Sequence, residues 1–516
     1  MTDTSRMLEL FDFKPEHQYR PYVNSAVRFH IPSTREDRLA AAIKAGWNVF
    51  QFPSKMTFGD LLSDSGTTTP TIEQLAMSLL GDEAYGTNWG YEQLLERFEQ
   101  TFGITLLGDN AEWEIFLFHQ CRAAEHALFT QIGRGGNNGN LIIPSNGHFD
   151  TTHANIAANR MEALDIPAKR ILGNTNMFIK NEHTGIMEKS SGLIDIPMNS
   201  NSDFLGNIDI FKLQDLLTTR SQDIPLVYCT VTNNTMAGQP VSLDNINTIA
   251  RLCKKAKKPF FLDACRFAEN AWFIKERERK DQSVLSIVHE MFSSCDGFTI
   301  SLKKDGLSNM GGALCVKKGT ELTSTYPQIM DDLRDHQICT EGHPTYGGMS
   351  GRDIMIIVEG LKTVVTEEYL RTRVGQVRRF GEYLDYLGIP VVKPFGGHAV
   401  YLEMDKFFEG TTMRPEHFGG ISLTALLLLS GPRLCELGSF AFGSYDPKTE
   451  KETPPPFNYV RAAIPRLKYE DQDLFFVADC IKNLHNKRDI LPRAIPVYGR
   501  EKTLRHFKAR FELESR

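Results

Sequence analysis

Between about residues 90 and 350 the chain alternates between two hydrophobic patterns. Short, nearly unbroken apolar runs lie at 140–144, 225–230, 260–263 and 297–301. Their length and apolar density suit strands buried on both faces. Between them, over 91–102, 123–131 and 241–255, apolar residues recur at helical spacing. Such alternation predicts a mostly parallel sheet wrapped by helices, with ligands beyond the carboxyl ends of its strands. Upstream, a polar loop over 64–70 leads into an amphipathic helix opened by Thr71. Beyond 355 a long helix over 354–387 is expected. Strand-like stretches at 389–394, 397–403 and 459–464 follow, with a proline loop at 454–456. The expected organisation is a large α/β domain over 61–355, a smaller α+β domain over 356–516, and a segment over 1–60 packing with the smaller domain.

Composition narrows the class without fixing the function. At 516 residues there is room for two sizeable cores. Hydrophobic content is 41%, charged content 24% and net charge −6, which points to neither nucleic acid nor an anionic membrane as a partner. Nine scattered cysteines show no paired metal-ligand spacing, as expected of reduced thiols. The first twenty residues are polar and charged, and the most apolar run, 423–429, is too short to span a bilayer. A cytoplasmic protein is expected.

Candidate chemistry gathers at strand ends. Lys303-Lys304-Asp305 follows the run Gly297-Phe-Thr-Ile-Ser301, and Asp263 and Arg266 close the run Pro259-Phe-Phe-Leu. A strand-end lysine can hold an aldehyde as a Schiff base, and a strand-end carboxylate can keep a pyridine nitrogen protonated. That pair is what pyridoxal phosphate requires. Each residue also has an ordinary reading. Paired lysines are usually solvated, Asp263 could cap the following helix, and Arg266 could pair with Glu269. His119-Gln120-Cys121-Arg122 stands at a predicted strand–helix junction, where free backbone N–H groups suit a phosphate. Phe149 could stack on a flat ring, and Asn234 lies in a loop after a strand. Arg461 could grip a carboxylate or face water from an edge strand. Tyr85 could transfer a proton or lie on the surface.

Together these segments resemble the tryptophanase and tyrosine phenol-lyase family of pyridoxal phosphate-dependent β-eliminating lyases. The motifs are Asp64-Ser-Gly-Thr, Gly81-Asp-Glu-Ala-Tyr, His119-Gln-x-Arg-x-Ala-Glu, Ala237-Gly-Gln-Pro-Val-Ser, Asp263-Ala-x-Arg-Phe-Ala-Glu-Asn-Ala, Lys303-Lys-Asp, Pro344-Thr-Tyr-Gly-Gly, Gly396-Gly-His-Ala and Leu504-Arg-His-Phe. The resemblance implies the fold type I architecture of aspartate aminotransferase-like enzymes. It implies that Lys304 binds the cofactor and removes the α-proton, and that Asp263 pairs with the ring nitrogen. Arg266 and Asn234 would neighbour the ring oxygen, and Phe149 would stack on the ring. Gln120, the amide of Cys121, Arg122 and Ser301 would hold the phosphate. Arg461, with Ser65, would bind the substrate carboxylate, and Tyr85 would donate a proton. Gly66, Glu83 and Asn309 match the ligands of a monovalent cation, usually potassium. A homotetramer with sites at subunit boundaries is implied as well.

Three positions bear on the substrate. The phenol-releasing members are similar but carry arginine, threonine and phenylalanine where this chain has Leu437, Asp150 and His506. An apolar Leu437 suits an indole, Asp150 could accept its N–H, and His506 could order the polar side of the pocket. The expectation is elimination of indole from L-tryptophan. Tyrosine phenol-lyase activity, or a broader lyase acting on cysteine or serine, remains open. Cys121 and Ala123 replace glycines of the family's phosphate loop, and Leu302 replaces a small residue. A left-handed backbone at 121 would make its Cβ unfavourable.

Overall fold

The computed structural model describes residues 20–24, 26–135, 141–168, 178–180, 187–189 and 204–515. Seven strands form its main sheet: β1 (Trp113–Phe118), β2 (Ile142–Ser145), β3 (Glu162–Asp165), β4 (Val227–Thr230), β5 (Phe260–Asp263), β6 (Gly297–Ser301) and β7 (Gly312–Lys317). Their spatial order is β1-β7-β6-β5-β4-β2-β3. Neighbours are parallel from β3 through β6, and β7 runs antiparallel to both β6 and β1. Alternate residues feed two separate cores. Ile115, Leu117, Val227, Cys229, Phe260 and Leu262 point to one face, while Phe116, Phe118, Leu226, Tyr228 and Phe261 point to the other. Burial on both faces explains why these strands read as continuous apolar runs rather than alternating ones.

The expected helices form, with their caps where the side chains allow. Thr71 and Gln74 close a capping box at the start of Ile72–Ser78, and Ser242 caps Leu243–Ala256. The helices that bear on the site are α1 (Cys121–Gly135), α2 (Asp150–Ala158) and α3 (Phe267–Arg277). Two expectations fail. The stretch 389–394 forms no strand, only an isolated bridge from Val391 to Leu402. The long helix over 354–387 is two helices, α4 (Gly351–Val364) and α5 (Glu367–Tyr386). They break at Val365-Thr366, where the Thr366 hydroxyl donates to the Thr363 carbonyl. A β-branched run with a hydroxyl that bonds local backbone is a poor place to continue a helix.

A second sheet, antiparallel and three-stranded, contains β8 (Ala399–Glu403), β9 (Cys435–Leu437) and β10 (Tyr459–Ala463), with β10 in the centre. It has its own core, built from Val400, Leu402, Leu423, Val460, Leu474 and Val477 with Val377 and Phe380 of α5. The described part of the N-terminal segment lies on this side. Ala42, Val49 and Phe52 cluster with Leu428, and Gly59–Asp60 pairs with Pro432–Arg433.

Candidate active site

The ends of β5 and β6, the head of α1 and the centre of the small sheet supply the candidate residues. Asp263 ends β5 and is buried. It does not cap α3. Instead its Oδ1 accepts from the Cys265 amide at 3.2 Å. Lys304 lies in the turn after β6, with its own N–H bonded to the Ser301 carbonyl. Burial opposes its charge, but Cys265, Asp263 and Asp64 outweigh burial against the opposing Arg266. The ammonium is therefore held above the ordinary lysine range. Lys303 goes the other way: burial, Arg122 and Lys304 all lower it. The two adjacent lysines are thus electrostatically distinct.

The head of α1 lies against β7. Gln120 bridges to Gly311, and Cys121 begins the helix. A Cβ on Gly312 would stand 2.3 Å from the Gln120 carbonyl carbon and 2.4 Å from the Cys121 nitrogen. Only glycine lets β7 pass the head of α1. Residue 121 is not among those with a left-handed backbone, so its cysteine introduces no strain of that kind. Leu302 is fully buried in the main core, which explains how a large residue is accommodated there. Arg122 is exposed, Ser301 is buried, and Phe149 is half-buried at the residue before α2.

Arg461 settles its own ambiguity: it stands on the central strand β10 and is buried. Its Nη1 donates to Asn234 Oδ1 (3.1 Å) and its Nη2 to the Leu62 carbonyl (3.1 Å). Asn234 Oδ1 also receives His398 Nε2 (2.9 Å) and the Tyr401 hydroxyl (2.7 Å). Burial and Arg266 drive His398 well below the ordinary histidine range, so its ring is neutral. Burial lifts the Tyr401 phenol to about 12. Arg461 Nε and His398 Nδ1 are buried without a partner.

Behind this layer lies a closed network that the sequence reading did not assemble. Arg266 pairs with Asp64, not with Glu269, through two bonds of 2.9 and 2.8 Å. Arg466 reaches Asp64, Glu269 and Asp305 (3.0, 2.8 and 2.8 Å), and Arg373 reaches Glu269 (3.0 Å). Burial works against the Asp64 carboxylate, but Arg266, with Arg466 behind it, holds it well below the usual range. Asp64 was visible within its Ser-Gly-Thr motif and His398 within Gly-Gly-His-Ala. No local signal marked Arg466, whose three partners come from distant segments.

Leu437 is buried on β9 with Ala237, Tyr401, Cys435 and Tyr459, and Phe50 packs against that cluster. Phe50 also meets the His506 ring, with centroids 5.7 Å apart. His506 is buried, not part of an exposed tail, and its Nε2 lies 3.0 Å from Asp150 Oδ2. The apolar wall and the Asp150–His506 pair are therefore continuous. Two groups fall elsewhere. Tyr85 is 83% exposed, with its ring near His343 and Tyr346. Asn309 Nδ2 bonds the Gly66 carbonyl at 3.0 Å, but Glu83 pairs with Arg352 and the Gly351 amide. Ser65 is half-buried beside Asp64.

Pyridoxal phosphate fits what these residues present: a lysine and a carboxylate at adjacent strand ends, a helix start, and unpartnered nitrogens on Arg461 and His398. The fold is that of the fold type I pyridoxal phosphate enzymes. The backbone resembles a serine palmitoyltransferase from Sphingomonas wittichii (TM-score 0.51, 10% identity, 84% of this chain and 88% of that one). It also resembles a threonine aldolase from Leishmania major (TM-score 0.52, 12% identity, 83% and 99%). At such identities the likeness is one of fold.

Sequence relationships go further. The model of the β-eliminating lyase family matches residues 60–480. A tryptophanase from Hyphomonas neptunium is 38% identical over 483 residues, 93% of this chain and 96% of that protein. A tyrosine phenol-lyase from Pasteurella multocida is 35% identical over 496 residues, 95% and 98% of the two chains. The chain belongs to the β-eliminating lyase family, whose cofactor is pyridoxal phosphate. Among the described residues no helix is long and apolar enough to cross a membrane.

Proposed function

We propose that the chain cleaves L-tryptophan into indole, pyruvate and ammonia. The observation that carries this reading is the buried Asp150–His506 pair at the edge of the apolar wall around Leu437. An indole needs an apolar slot with one acceptor for its N–H. A leucine at 437 offers no charge to a phenol oxygen.

Bound at Lys304, pyridoxal phosphate supplies an electron sink for negative charge at the substrate α-carbon. The protein supplies everything else. Asp263 would pair with the ring nitrogen, and Arg266 and Asn234 would neighbour the ring oxygen. Phe149 would stack on the ring. Gln120, the Cys121 amide, Arg122 and Ser301 would hold the phosphate. Arg461, helped by Ser65, grips the substrate carboxylate and so fixes the direction of the α C–H bond. Lys304 Nζ takes that proton. Indole departs only after its C3 is protonated. Tyr85 is the donor, while Asp150, steadied by His506, holds the indole N–H.

Because Tyr85 points to solvent on its own chain, its role requires a second copy. We read the assembly as a homotetramer with sites at subunit boundaries. A monovalent cation, potassium in the first instance, is placed at Gly66, Asn309 and Glu83. We take the domain limits as 61–355 and 356–516, with the N-terminal segment on the smaller domain, and the compartment as cytoplasmic.

The test is a screen of cofactor-loaded protein against tryptophan, tyrosine, cysteine and serine, with and without potassium. The expected outcome is indole from tryptophan, no phenol from tyrosine, and no product from Lys304→Ala. Phenol from tyrosine, or pyruvate from cysteine or serine without indole from tryptophan, would overturn the assignment.

A further inference from the structure

Two buried cysteine thiols beside Asp263 form a feature that the elimination reaction does not use. Cys121 Sγ and Cys265 Sγ lie 3.6 Å apart. With a carboxylate oxygen of Asp263, their ligand atoms all lie within 4.8 Å of one another. All three side chains are buried. Among the described residues no other three His, Cys, Asp or Glu side chains converge in this way.

The two sulfurs, hydrogen-bonded to each other as thiols, are spaced as a thiophilic metal requires. Zinc–sulfur bonds of about 2.3 Å in a tetrahedron put neighbouring sulfurs about 3.8 Å apart, close to the separation found. The ligands are also held in place before any ion arrives. Cys121 is fixed by the start of α1. Cys265 donates its amide to Asp263 Oδ1, and its sulfur accepts the Ser301 amide at 3.3 Å. Two soft sulfurs with one carboxylate select zinc-class ions over magnesium or calcium. Lys304 interacts with both Asp263 and Cys265, so its cation offsets part of the charge that two thiolates and a carboxylate bring to a dication.

We propose that Cys121, Asp263 and Cys265 form a binding site for a zinc-class divalent cation that excludes the cofactor. Binding replaces two S–H bonds by two metal–sulfur bonds and adds one metal–oxygen bond, and it releases two protons to solvent. The metal takes the carboxylate that the ring nitrogen needs, so metal and pyridoxal phosphate compete. The competition rests on the proposed function, whereas metal binding rests on the three side chains alone.

The experiment titrates the full chain, freed of cofactor and kept under argon, with cobalt(II) as the probe. A thiolate-to-cobalt charge-transfer band should saturate at one equivalent, with two protons released per ion. The band should disappear in Cys265→Ala and in Cys121→Ala, with circular dichroism confirming that each variant is folded. Adding pyridoxal phosphate to the cobalt-loaded wild type should bleach the band. No band, fewer than two protons, or a band unchanged in Cys265→Ala overturns the site. The proton count needs no variant, so it decides even if both variants misfold. A band that survives cofactor binding overturns the exclusion. Failure of metal-free protein to bind pyridoxal phosphate counts against the proposed function, while the band still supports the metal site.

Discussion

The buried network behind Lys304 and the exposed surface around Tyr85 use polar groups in opposite ways. In the network, Arg266, Arg373 and Arg466 face Asp64, Glu269 and Asp305, three charges against three, all removed from water. The pairs tie the loop at 64, the end of β5, the turn after β6, α5 and the segment after β10 into one block. Around Tyr85 the picture reverses. Tyr85 is exposed, its ring against His343 and Tyr346, near the exposed apolar residues Leu75, Leu79 and Trp89 in sequence, and Glu83 pairs with Arg352 and the Gly351 amide at the surface. The chain finishes by itself the part of the site that must be rigid and dry. It leaves outward the residues proposed to deliver a proton and a cation.

The largest way to break that contrast is Arg466→Met. The guanidinium binds three carboxylates, and removing it strands buried anions with Arg266 and Arg373 alone. Losing one partner of a buried ion network typically costs about 3–5 kcal/mol. Urea unfolding should show a loss of that size at pH 7.5. Burial already lifts Asp305 to about 6, despite Arg466. Without Arg466, Asp305 takes up a proton more easily, so the loss should shrink at pH 5.5. An equal loss at both pH values would mean that packing, not charge, is what Arg466 contributes.

Tyr85→Phe sharpens the other side. The hydroxyl is exposed, so chain stability should change by less than about 0.5 kcal/mol. Turnover of tryptophan should nonetheless fall by about 100-fold, the lower end for a lost general acid, with little change in KM. Unchanged kcat in the assembled protein would remove Tyr85 from the reaction and leave it as surface.

How much of this was legible in the sequence depends on how locally each feature is encoded. The strands were legible because burial on both faces leaves unbroken apolar runs such as Phe260-Phe-Leu, and Asp263 and Lys304 were found because they terminate such runs. The break at Val365-Thr366 was missed because the apolar spacing of α4 and α5 continues across it. Arg461 stayed ambiguous because a single charge in a strand reads alike at an edge and in a centre; only pairing with both β8 and β9 separates the two. Arg466 carried no signal at all. Its identity as an anchor exists only once residues 64, 269 and 305 meet.

The smallest effect concerns Glu125, which sits on α1 between the two regimes. It is buried and accepts the Thr152 hydroxyl at 2.7 Å. Burial first, then Asp263, raises its carboxyl to about 8, against the opposing pull of Lys304 and Arg122. The native chain therefore keeps a proton that an unfolded glutamate, titrating at its ordinary 4.5, gives up. Between those two values the native state binds one proton more than the unfolded state. Its stability contribution is complete below the lower value and is lost as pH rises through the upper one, at about 1.4 kcal/mol per pH unit. Glu125→Gln keeps the shape and removes the titration. Subtracting its urea-derived stabilities from those of the wild type between pH 5.5 and 7 isolates that one group, and the difference should slope by about 1.4 kcal/mol per unit. A flat difference would mean that Glu125 is ionised in the folded chain, leaving a second buried anion beside Asp263 for the cations at Lys304 and Arg122 to balance.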